Sequence, residues 1–388
     1  MKPIHDPNSF RALKNIQIDI LKKVGTNFTG SSPPDVFVGE YNYPNVFAGI
    51  LAPIKTSNEE VFDSPEQWFQ KRLSVYEILI ERGRMIYPRF VQQVKSQNGK
   101  LISLMQEVSM ANKSTDINFD LIKKPTINLK LDNMHAPVFN PAKLRTAKLE
   151  SNPSITKRVE YIVGDHHLKA GDSIIDLYQH KLPVTNIIKL LSAGTLGIAT
   201  QRRLVPTKWA ITATDNIISE SMIEQLKYFP WINNIELYHD AYLGNDYRII
   251  LLPRQWSFEV IEAKYNQEYS KIQFWQDYES HEGRTTYASS VVGGYYAARV
   301  AVAEHLIKRK RQASVLIMRQ IKGYDTPCGV WVLRELTRNA LSMNPEKCIS
   351  QDDAFKKAQE GLALPITLFK ERSKLLKDIK SQKTLAEY

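Results

Sequence analysis

The sequence predicts a mixed α/β protein (α+β). We expect mostly antiparallel sheet regions, flanking helices and a helical C-terminal part that ends in a flexible tail. Two observations indicate this class. Some segments alternate between apolar and polar residues, most clearly 235–253, where Gly244 and Asn245 mark the turn of a hairpin. Other segments, such as 8–24 and 293–311, carry apolar residues three or four positions apart, which is typical of helices.

The N-terminal part alternates between helical and strand patterns. Ser64 and Pro65 predict the start of a helix that runs to about residue 80, because serine suits the N-cap and proline the first helical position. The further elements predicted here are a helix at 8–24, a loop at 25–36, strands at 35–39 and 45–53, a helix at 88–111, and strand with loop at 124–145.

The remainder begins with helices and continues with a strand-rich block. Further helices are predicted at 154–164, 169–180, 184–193, 293–311, 351–363 and 366–380. Strands are predicted at 204–215, in the hairpin 235–253, at 256–265, at 313–321, and at the start of 329–341, which then continues as a helix.

These patterns suggest four parts along the chain. We expect an irregular N-terminal α/β domain at 1–150 and a central α+β domain at 151–345. A helical extension at 346–380 and a tail at 381–388 follow.

Charge and composition favour a partner with negative charge. The formal net charge is +11 over 388 residues, which suits DNA. No stretch reaches 18 apolar residues, and the first ten residues lack the apolar run of a signal peptide. We therefore expect no membrane partner and a cytoplasmic, nucleoid-associated protein.

The cysteine content argues against zinc. Cys328 and Cys348 are the two cysteines, and no CxxC motif occurs. Two cysteines exclude a site of four cysteines, or of three cysteines and a histidine. We assign no metal ligand and no cofactor, although the eight histidines leave a His-rich or carboxylate site open.

The last seven residues resemble a peptide that docks on the sliding clamp of DNA. Gln382, Leu385 and Tyr388 are spaced three apart, which fits one tight helical turn. Leu385 and Tyr388 would share a face and enter one apolar pocket, while Gln382 would bond to backbone at its rim. The alternative is a solvated tail.

A basic cluster, Lys308, Arg309, Lys310 and Arg311, ends the predicted helix at 293–311. Such cations bind DNA phosphates, and they also complement the negative end of a helix, so both interpretations stay open.

A second basic block combines cations with an aromatic ring. Arg202, Arg203 and Lys208 precede Trp209, and cations beside a ring can hold a nucleotide or a single strand. The alternative is a basic turn before a strand whose tryptophan belongs to the core.

A candidate pocket for a nucleotide or phosphodiester lies near the Gly293–Gly294 pair. Glycines that open a helix leave N–H groups for an anion, and Arg299 follows one turn later. His281 and Glu282 lie upstream and could act as acid and base of a hydrolase or transferase acting on DNA or nucleotides. The alternative is close backbone packing by the glycines.

A weaker hypothesis concerns residues 172–198, whose helix, break and second helix have the spacing of a helix-turn-helix. Thr185, Asn186 and Lys189 would then face outward from the second helix and meet base edges. The alternative is two packed helices of the core.

Several blocks together resemble the archaeal NreA DNA-repair protein family. They are 31–53, 151–160, 190–215, 293–306 and 329–341. The resemblance implies a role in DNA repair and docking on the sliding clamp through Gln382, Leu385 and Tyr388. Many family members begin with a cysteine-rich segment, which this sequence lacks, so no zinc role is expected here.

The sequence therefore predicts a DNA-repair factor that binds DNA, is recruited by the sliding clamp and works beside other repair proteins. One alternative is an enzyme that processes nucleotides or DNA ends. A second is a non-catalytic structural adaptor.

Overall fold

The computed structural model describes residues 7–54, 60–128, 131–266, 271–323 and 327–381. These ranges hold helices and two six-stranded sheets in which antiparallel pairings predominate. The predicted mixed α/β class with a helical C-terminal part is therefore confirmed, and most of the predicted tail lies outside the described residues. The chain divides into two compact units, unit 1 (Met1–Ile218 with Asp325–Trp331) and unit 2 (Ser219–Tyr324 with Val332–Tyr388).

The described residues form the following elements. The helices are α1 Pro7–Lys23, α2 Pro65–Gln70, α3 Val75–Gly83, α4 Lys100–Met110, α5 Lys157–Gly164, α6 Ala170–Gln179, α7 Val184–Ser192, α8 Thr207–Leu226, α9 Gly293–Arg309, α10 Trp331–Ser342, α11 Gln351–Ala358, α12 Thr367–Arg372 and α13 Lys374–Ser381. The strands are β1 Asn27–Ser32, β2 Asp35–Val38, β3 Asn45–Leu51, β4 Tyr87–Gln93, β5 Thr115–Leu121, β6 Pro141–Leu149, β7 Ile235–Tyr242, β8 Asn245–Leu252, β9 Ser257–Asn266, β10 Lys271–Glu279, β11 Ser314–Ile321 and β12 Glu346–Cys348.

The sheet of unit 1 has the strand order β1-β5-β6-β4-β3-β2. Only the β4–β6 pairing in it is parallel. Helices α4 and α7 pack against the sheet and cover a core of aliphatic and aromatic side chains. Gly49 of β3 allows a close approach to β4, because a Cβ there would lie 2.1 Å from the carbonyl oxygen of Pro88.

A buried ionic cluster stabilises the edge of this sheet. Arg82 lies 2.8 Å from the Asp35 carboxylate and 3.0 Å from that of Asp63, and its Nε donates to the carbonyl of Pro137. The Lys189 ammonium lies 2.5 Å from the second oxygen of Asp63. Burial raises the pKa of Asp35 to about 6, since the ionised form loses hydration there.

The sheet of unit 2 has the order β10-β9-β11-β8-β7-β12. β9 and β11 are parallel, whereas the other pairings are antiparallel. In register, Ser257 of β9 pairs with Ser314 of β11, and Glu279 of β10 pairs with Phe258 of β9. The first residues of β9 and β11 and the last residue of β10 therefore lie next to each other at one end of the strands.

The hairpin predicted at 235–253 is confirmed by β7 and β8, but its turn lies one residue before the predicted Gly244–Asn245, because Asn245 already belongs to β8. Leu243 and Gly244 connect them, both with positive φ, as a two-residue turn of the type I′ family requires. The helix predicted at 293–311 is also confirmed by α9, whose residues 293–303 are all buried. That burial explains its small and apolar composition.

Other predictions for single elements were wrong. The segment 204–215 is not a strand: helix α8 begins at Thr207, with the N–H groups of Trp209 and Ala210 donating to the Pro206 carbonyl. The buried residues of α8 at 207, 210, 211, 214, 215 and 218 recur three or four positions apart and form one helical face.

Further corrections concern boundaries in unit 1. The segment 88–111 divides into β4 and α4, since Gly99 with φ of +132° begins the helix there. The helix expected from Pro65 to about residue 80 is interrupted, because Ser74 and Glu77 form a capping box that opens α3. β1 occupies part of the loop expected at 25–36.

In the ranges that the structure describes, no helix combines the length and apolarity that a membrane span requires.

Candidate nucleic-acid interface

A cleft of about 290 Å³ opens at the end of the unit 2 sheet at which β9 and β11 begin and β10 ends. Helix α13 forms one wall. The lining residues are Trp231, Arg254, Gln255, Ser257, Tyr278, Ser280, His281, Glu282, Ser314, Leu375, Asp378 and Ile379. Serine, histidine and carboxylate groups thus meet an indole and a guanidinium in one concave site.

Two serine hydroxyls lie where the parallel strands begin. Ser257 donates from Oγ to Ser314 Oγ at 2.9 Å, and Ser314 Oγ donates to the carbonyl of Gln255 at 2.8 Å. The two residues are opposite each other because parallel strands align their N-terminal ends. Both hydroxyl protons are used within this chain, and each oxygen keeps a lone pair that can accept a hydrogen bond from a ligand.

The α13 wall is fixed by a buried carboxylate. Glu259 of β9 accepts hydrogen bonds from the N–H groups of Lys374 and Leu375 at 2.8 and 3.2 Å, and from the hydroxyl of Ser373. A carboxylate at a helix start satisfies N–H groups that lack a helical partner. Burial raises the pKa of Glu259.

The predicted pair His281 and Glu282 lies in this cleft, in a turn after β10 that a bridge between Ser280 and Gly283 closes. Within the described residues, the Nδ1 atom of His281 is buried and has no hydrogen-bond partner. Glu282 is exposed. The position suits a ligand contact, and acid or base catalysis by the pair stays a prediction.

Trp231 forms the outer rim of the cleft, and 53% of its surface is exposed. Backbone bonds hold its segment in place: the N–H of Ile232 donates to the carbonyl of Gln312, and the N–H of Gln312 to that of Pro230, each at 3.0 Å. The Gln312 side chain also donates to the carbonyls of Lys227 and Phe229.

The predicted basic cluster directly precedes Gln312, so it adjoins Trp231. Lys308 and Lys310 are exposed, and Arg311 is half-buried. Arg309 differs, since its guanidinium bonds both oxygens of Glu236 at 2.5 and 2.7 Å. The structure thus brings the cluster and the cleft residues His281 and Glu282 into the same part of unit 2, and DNA binding by these residues stays a prediction.

The Gly293–Gly294 helix start is internally bonded. Asp277 accepts hydrogen bonds from the N–H groups of Ser289, Ser290 and Val291 at 3.2, 3.0 and 2.6 Å. The N–H of Gly294 donates to the Val291 carbonyl. A carboxylate of the protein therefore occupies the N–H groups before the glycine pair, and binding of a ligand anion there stays a prediction.

Arg299 is buried one turn into α9. It lies 2.7 Å from Glu279, and its Nε donates to Ser219 Oγ at 3.1 Å. Glu279 also accepts from the indole of Trp256 at 3.1 Å. The guanidinium thus takes part in an internal network, and a role in nucleotide binding is untested.

The second predicted basic block lies in unit 1. Arg202 donates to three backbone carbonyls, of Gly197, Val163 and Asp165. Arg203 is exposed, and Lys208 lies 3.1 Å from Glu40.

Trp209 belongs to the same block and is not a core residue, since 45% of its surface is exposed. Its ring packs against Tyr43 with 5.1 Å between centroids. A nucleic-acid role for the four residues of the block stays a prediction.

The helix-turn-helix hypothesis is wrong for Lys189. Helices α6 and α7 are present, yet Lys189 is buried and paired with Asp63 instead of facing outward. The Thr185 hydroxyl donates to Glu66 at 2.8 Å. The pattern of two helices with a proline break here belongs to the core of unit 1.

Among the described residues, no group of three or more histidine, cysteine, aspartate or glutamate side chains could hold a metal ion. Cys328 and Cys348 are buried and form no disulfide, and burial raises the pKa of Cys328 to about 12. The predicted docking residues Gln382, Leu385 and Tyr388 lie outside the described residues.

Sequence reasoning missed most of the cleft. Trp231, Arg254, Ser257, Ser314, Tyr278 and Asp378 come from five separate segments. The Tyr228-Phe229-Pro230-Trp231 run was the one local signal, because an aromatic run ended by proline and tryptophan is suited to an exposed turn.

Comparison with known proteins covers nearly the whole chain. Residues 8–270 match the family model described as archaeal Nre, N-terminal, and residues 279–388 match archaeal Nre, C-terminal. DNA repair protein NreB of Archaeoglobus fulgidus is 34% identical over 98% of this chain and 94% of its own length. DNA repair protein NreA of Haloferax volcanii is 32% identical over 90% of this chain and 86% of its own.

NreA of Archaeoglobus fulgidus is 34% identical over 90% of this chain and 87% of its own length. No solved structure matches the chain. Two family models that together match most of the chain, and relatives above 30% identity along nearly all of it, establish that this protein belongs to the archaeal Nre family.

Proposed function

We propose that this protein acts in DNA repair by binding DNA through unit 2 and by docking on the sliding clamp through its last seven residues. The names of three relatives, each called a DNA repair protein, support the repair role. DNA association would place the protein at the nucleoid, beside other repair proteins.

The observation that carries the DNA-binding part is the basic cluster beside Trp231. Lys308 and Lys310 are exposed, and Arg311 precedes the residue that pairs with the tryptophan backbone. Cations of this kind neutralise phosphates and release counterions, while an exposed ring can stack on a base. The net charge of +11 acts in the same direction.

The clamp-docking part rests on the spacing of Gln382, Leu385 and Tyr388. Helix α13 ends at Ser381, so the peptide follows directly on an element that lines the cleft. A tethered protein reaches a high effective concentration near DNA, and a modest DNA affinity of unit 2 then suffices.

The test is DNA binding by a variant in which Lys308, Lys310 and Arg311 are replaced by alanine. We expect a roughly tenfold or greater loss of affinity, and a salt dependence whose slope falls by about 2 to 3, because up to three phosphate contacts disappear. Fluorescence anisotropy with a labelled duplex, measured over a series of salt concentrations, gives both values.

The matched control replaces three exposed lysines of unit 1, Lys14, Lys157 and Lys181, by alanine. It removes the same charge and should lose less affinity. Equal losses in both variants would mean that net charge alone attracts DNA. No binding by the unmodified protein would support a structural adaptor instead.

A second candidate function is nucleotide or DNA-end chemistry at the cleft. The observation that favours it is the buried, unpartnered Nδ1 of His281 beside Glu282. Labelled duplexes with blunt, recessed and 5′-phosphorylated ends can be incubated with the protein and with His281→Ala. A product that the unmodified protein forms and the variant does not would establish a hydrolase or transferase; no product from either would remove this function.

A further inference from the structure

We infer that the cleft of unit 2 is a pocket for one unpaired nucleotide of a single DNA strand, with the base inside against Trp231 and the phosphate outside. This inference rests on the proposed DNA binding and specifies its substrate: a single-stranded segment or end, not an intact duplex. The size, the ring, the polar groups and the distribution of charge each support a step of the argument.

The size of the cleft limits the ligand. A volume of about 290 Å³ lies at the lower end of the range for small-molecule pockets, which suits a single nucleotide. A base inside a duplex is stacked on both faces and cannot enter unless it leaves the helix. The cleft therefore selects a nucleotide that is already unpaired.

Trp231 supplies a stacking surface at the rim. About half of the side chain is exposed, while its backbone is fixed by the bonds to Gln312. A tryptophan side chain has two χ angles, so the ring loses little conformational freedom when a base stacks on it, and every base has a flat face to offer. Stacking here gives affinity without strong sequence preference.

The polar groups inside the cleft suit base edges. The hydroxyl oxygens of Ser257 and Ser314 can still accept a hydrogen bond, since both protons are used in internal bonds, and the buried Nδ1 of His281 has no partner within the described residues. Purines and pyrimidines present both donors and acceptors on their edges. The exocyclic amino groups of adenine, cytosine and guanine are donors, so acceptors in the cleft suit more than one base.

The charges decide which end of the nucleotide is inside. Asp378 lies in the cleft wall, where its carboxylate accepts from Tyr278, and Glu282 is a second carboxylate of the lining. Both would repel a phosphate. These two carboxylates outweigh Arg254, the one arginine among the described lining residues, whereas the exposed cations Lys308 and Lys310 lie outside the cleft. The backbone phosphates therefore follow the cations, and the neutral base enters.

The experiment uses Trp231→Ala, Trp231→Phe and a matched control, Tyr265→Ala, in the full-length protein. Tyr265 is 44% exposed and lies at the far end of β9 from Ser257. We expect Trp231→Ala to weaken single-strand binding by about tenfold and to leave duplex affinity unchanged, because a single stacking contact is lost. Trp231→Phe should retain most of the affinity, and Tyr265→Ala all of it.

A probe at one position locates the base. A single strand with terminal 2-aminopurine should show strong quenching with the unmodified protein and little with Trp231→Ala. Equal single-strand affinity and quenching in both proteins would overturn the pocket. Full competition by a free deoxynucleoside monophosphate at the same concentration as the strand would also overturn it, since the site would then serve free nucleotides.

The outcomes separate this inference from the proposal on which it rests. Loss of duplex binding in the variant without Lys308, Lys310 and Arg311, with no effect of Trp231→Ala, supports DNA binding and rejects the pocket. No effect of either variant rejects both. Thermal unfolding of Trp231→Phe, expected to match that of the unmodified protein, shows that the comparison concerns folded chains.

Discussion

The Tyr278 hydroxyl donates a hydrogen bond of 2.6 Å to the Asp378 carboxylate and so joins the end of β10 to α13. The two residues are a hundred positions apart in sequence. Burial and the neighbouring carboxylate raise the pKa of the tyrosine, so the phenol stays protonated and remains the donor. Because α13 directly precedes the proposed docking peptide, this contact connects the cleft with the C-terminal end of the described chain.

We predict that Tyr278→Phe loosens α13 without unfolding unit 2. Asp378 loses its phenol partner but is near the surface, where water replaces the bond, so the local cost is about 1 kcal/mol. Hydrogen exchange of residues 374–381 should accelerate about fivefold. Exchange of the β7–β8 hairpin is the internal control, and equal acceleration there would indicate global destabilisation instead.

A larger effect is expected for Glu259→Ala. The substitution leaves the N–H groups of Lys374 and Leu375 and the Ser373 hydroxyl without their acceptor in a buried position. Loss of a buried, charged helix cap costs about 3 kcal/mol. The same exchange experiment should show nearly complete loss of protection in α13; protection as in the unmodified protein would mean that its apolar face alone holds the helix.

Local patterns allowed much of the fold to be predicted. The hairpin around Gly244 needed only alternation and a turn signal, and α9 needed only helical spacing. Helix α8 was missed, because the apparent alternation at 204–215 was followed and the helical spacing of the residues that are buried was overlooked. β5 was missed although Ile117, Phe119 and Leu121 alternate with polar residues, which is a strand signal.

The candidate site was predicted only in part, and the reason is topological. His281, Glu282 and the cluster at 308–311 were identified from local composition. The serines at the starts of β9 and β11 acquire significance only when a parallel pairing aligns them, and that pairing joins residues 57 positions apart. Sequence periodicity contains no information about which strands pair.

The buried ionic cluster of unit 1 makes stability depend on pH. The pKa of Asp35 is raised to about 6 in the folded protein, so the folded state binds a proton that the unfolded state has lost. Its contribution is fully present below pH 4 and decreases as the pH rises through 6, by up to about 3 kcal/mol.

We predict that Asp35→Asn removes this component. Hydrogen exchange of β2 and β3 at several pH values, corrected for intrinsic rates, measures it in unit 1. The stability difference between unmodified protein and variant should shrink from pH 4 to pH 7. A difference that grows over this range would show that the ion pair with Arg82 dominates over burial.

Close packing of β3 on β4 predicts that Gly49→Ala is severely destabilising. The new methyl group would lie 2.1 Å from the backbone oxygen of Pro88, which cannot move without displacing its strand. We expect a loss of about 3 kcal/mol or more, measured by denaturant unfolding. The control is Gly164→Ala at the end of α5, where no atom of the described residues lies within 4 Å of the added methyl group, and stability should be unchanged or slightly higher.

The docking peptide predicts that Leu385→Ala and Tyr388→Ala each weaken binding to the purified sliding clamp by about 1–3 kcal/mol, because each removes an apolar anchor from one pocket. Gln382→Ala should cost less, since it removes hydrogen bonds near solvent. Thr384→Ala is the matched control, because Thr384 is not one of the three anchor positions.

Calorimetric titration of the purified clamp with these full-length proteins, and with a chain that ends at Ser381, measures these effects. Equal affinity with and without the seven residues would reject clamp docking through this peptide, and DNA affinity that is unchanged by the truncation would show that unit 2 binds DNA independently of it.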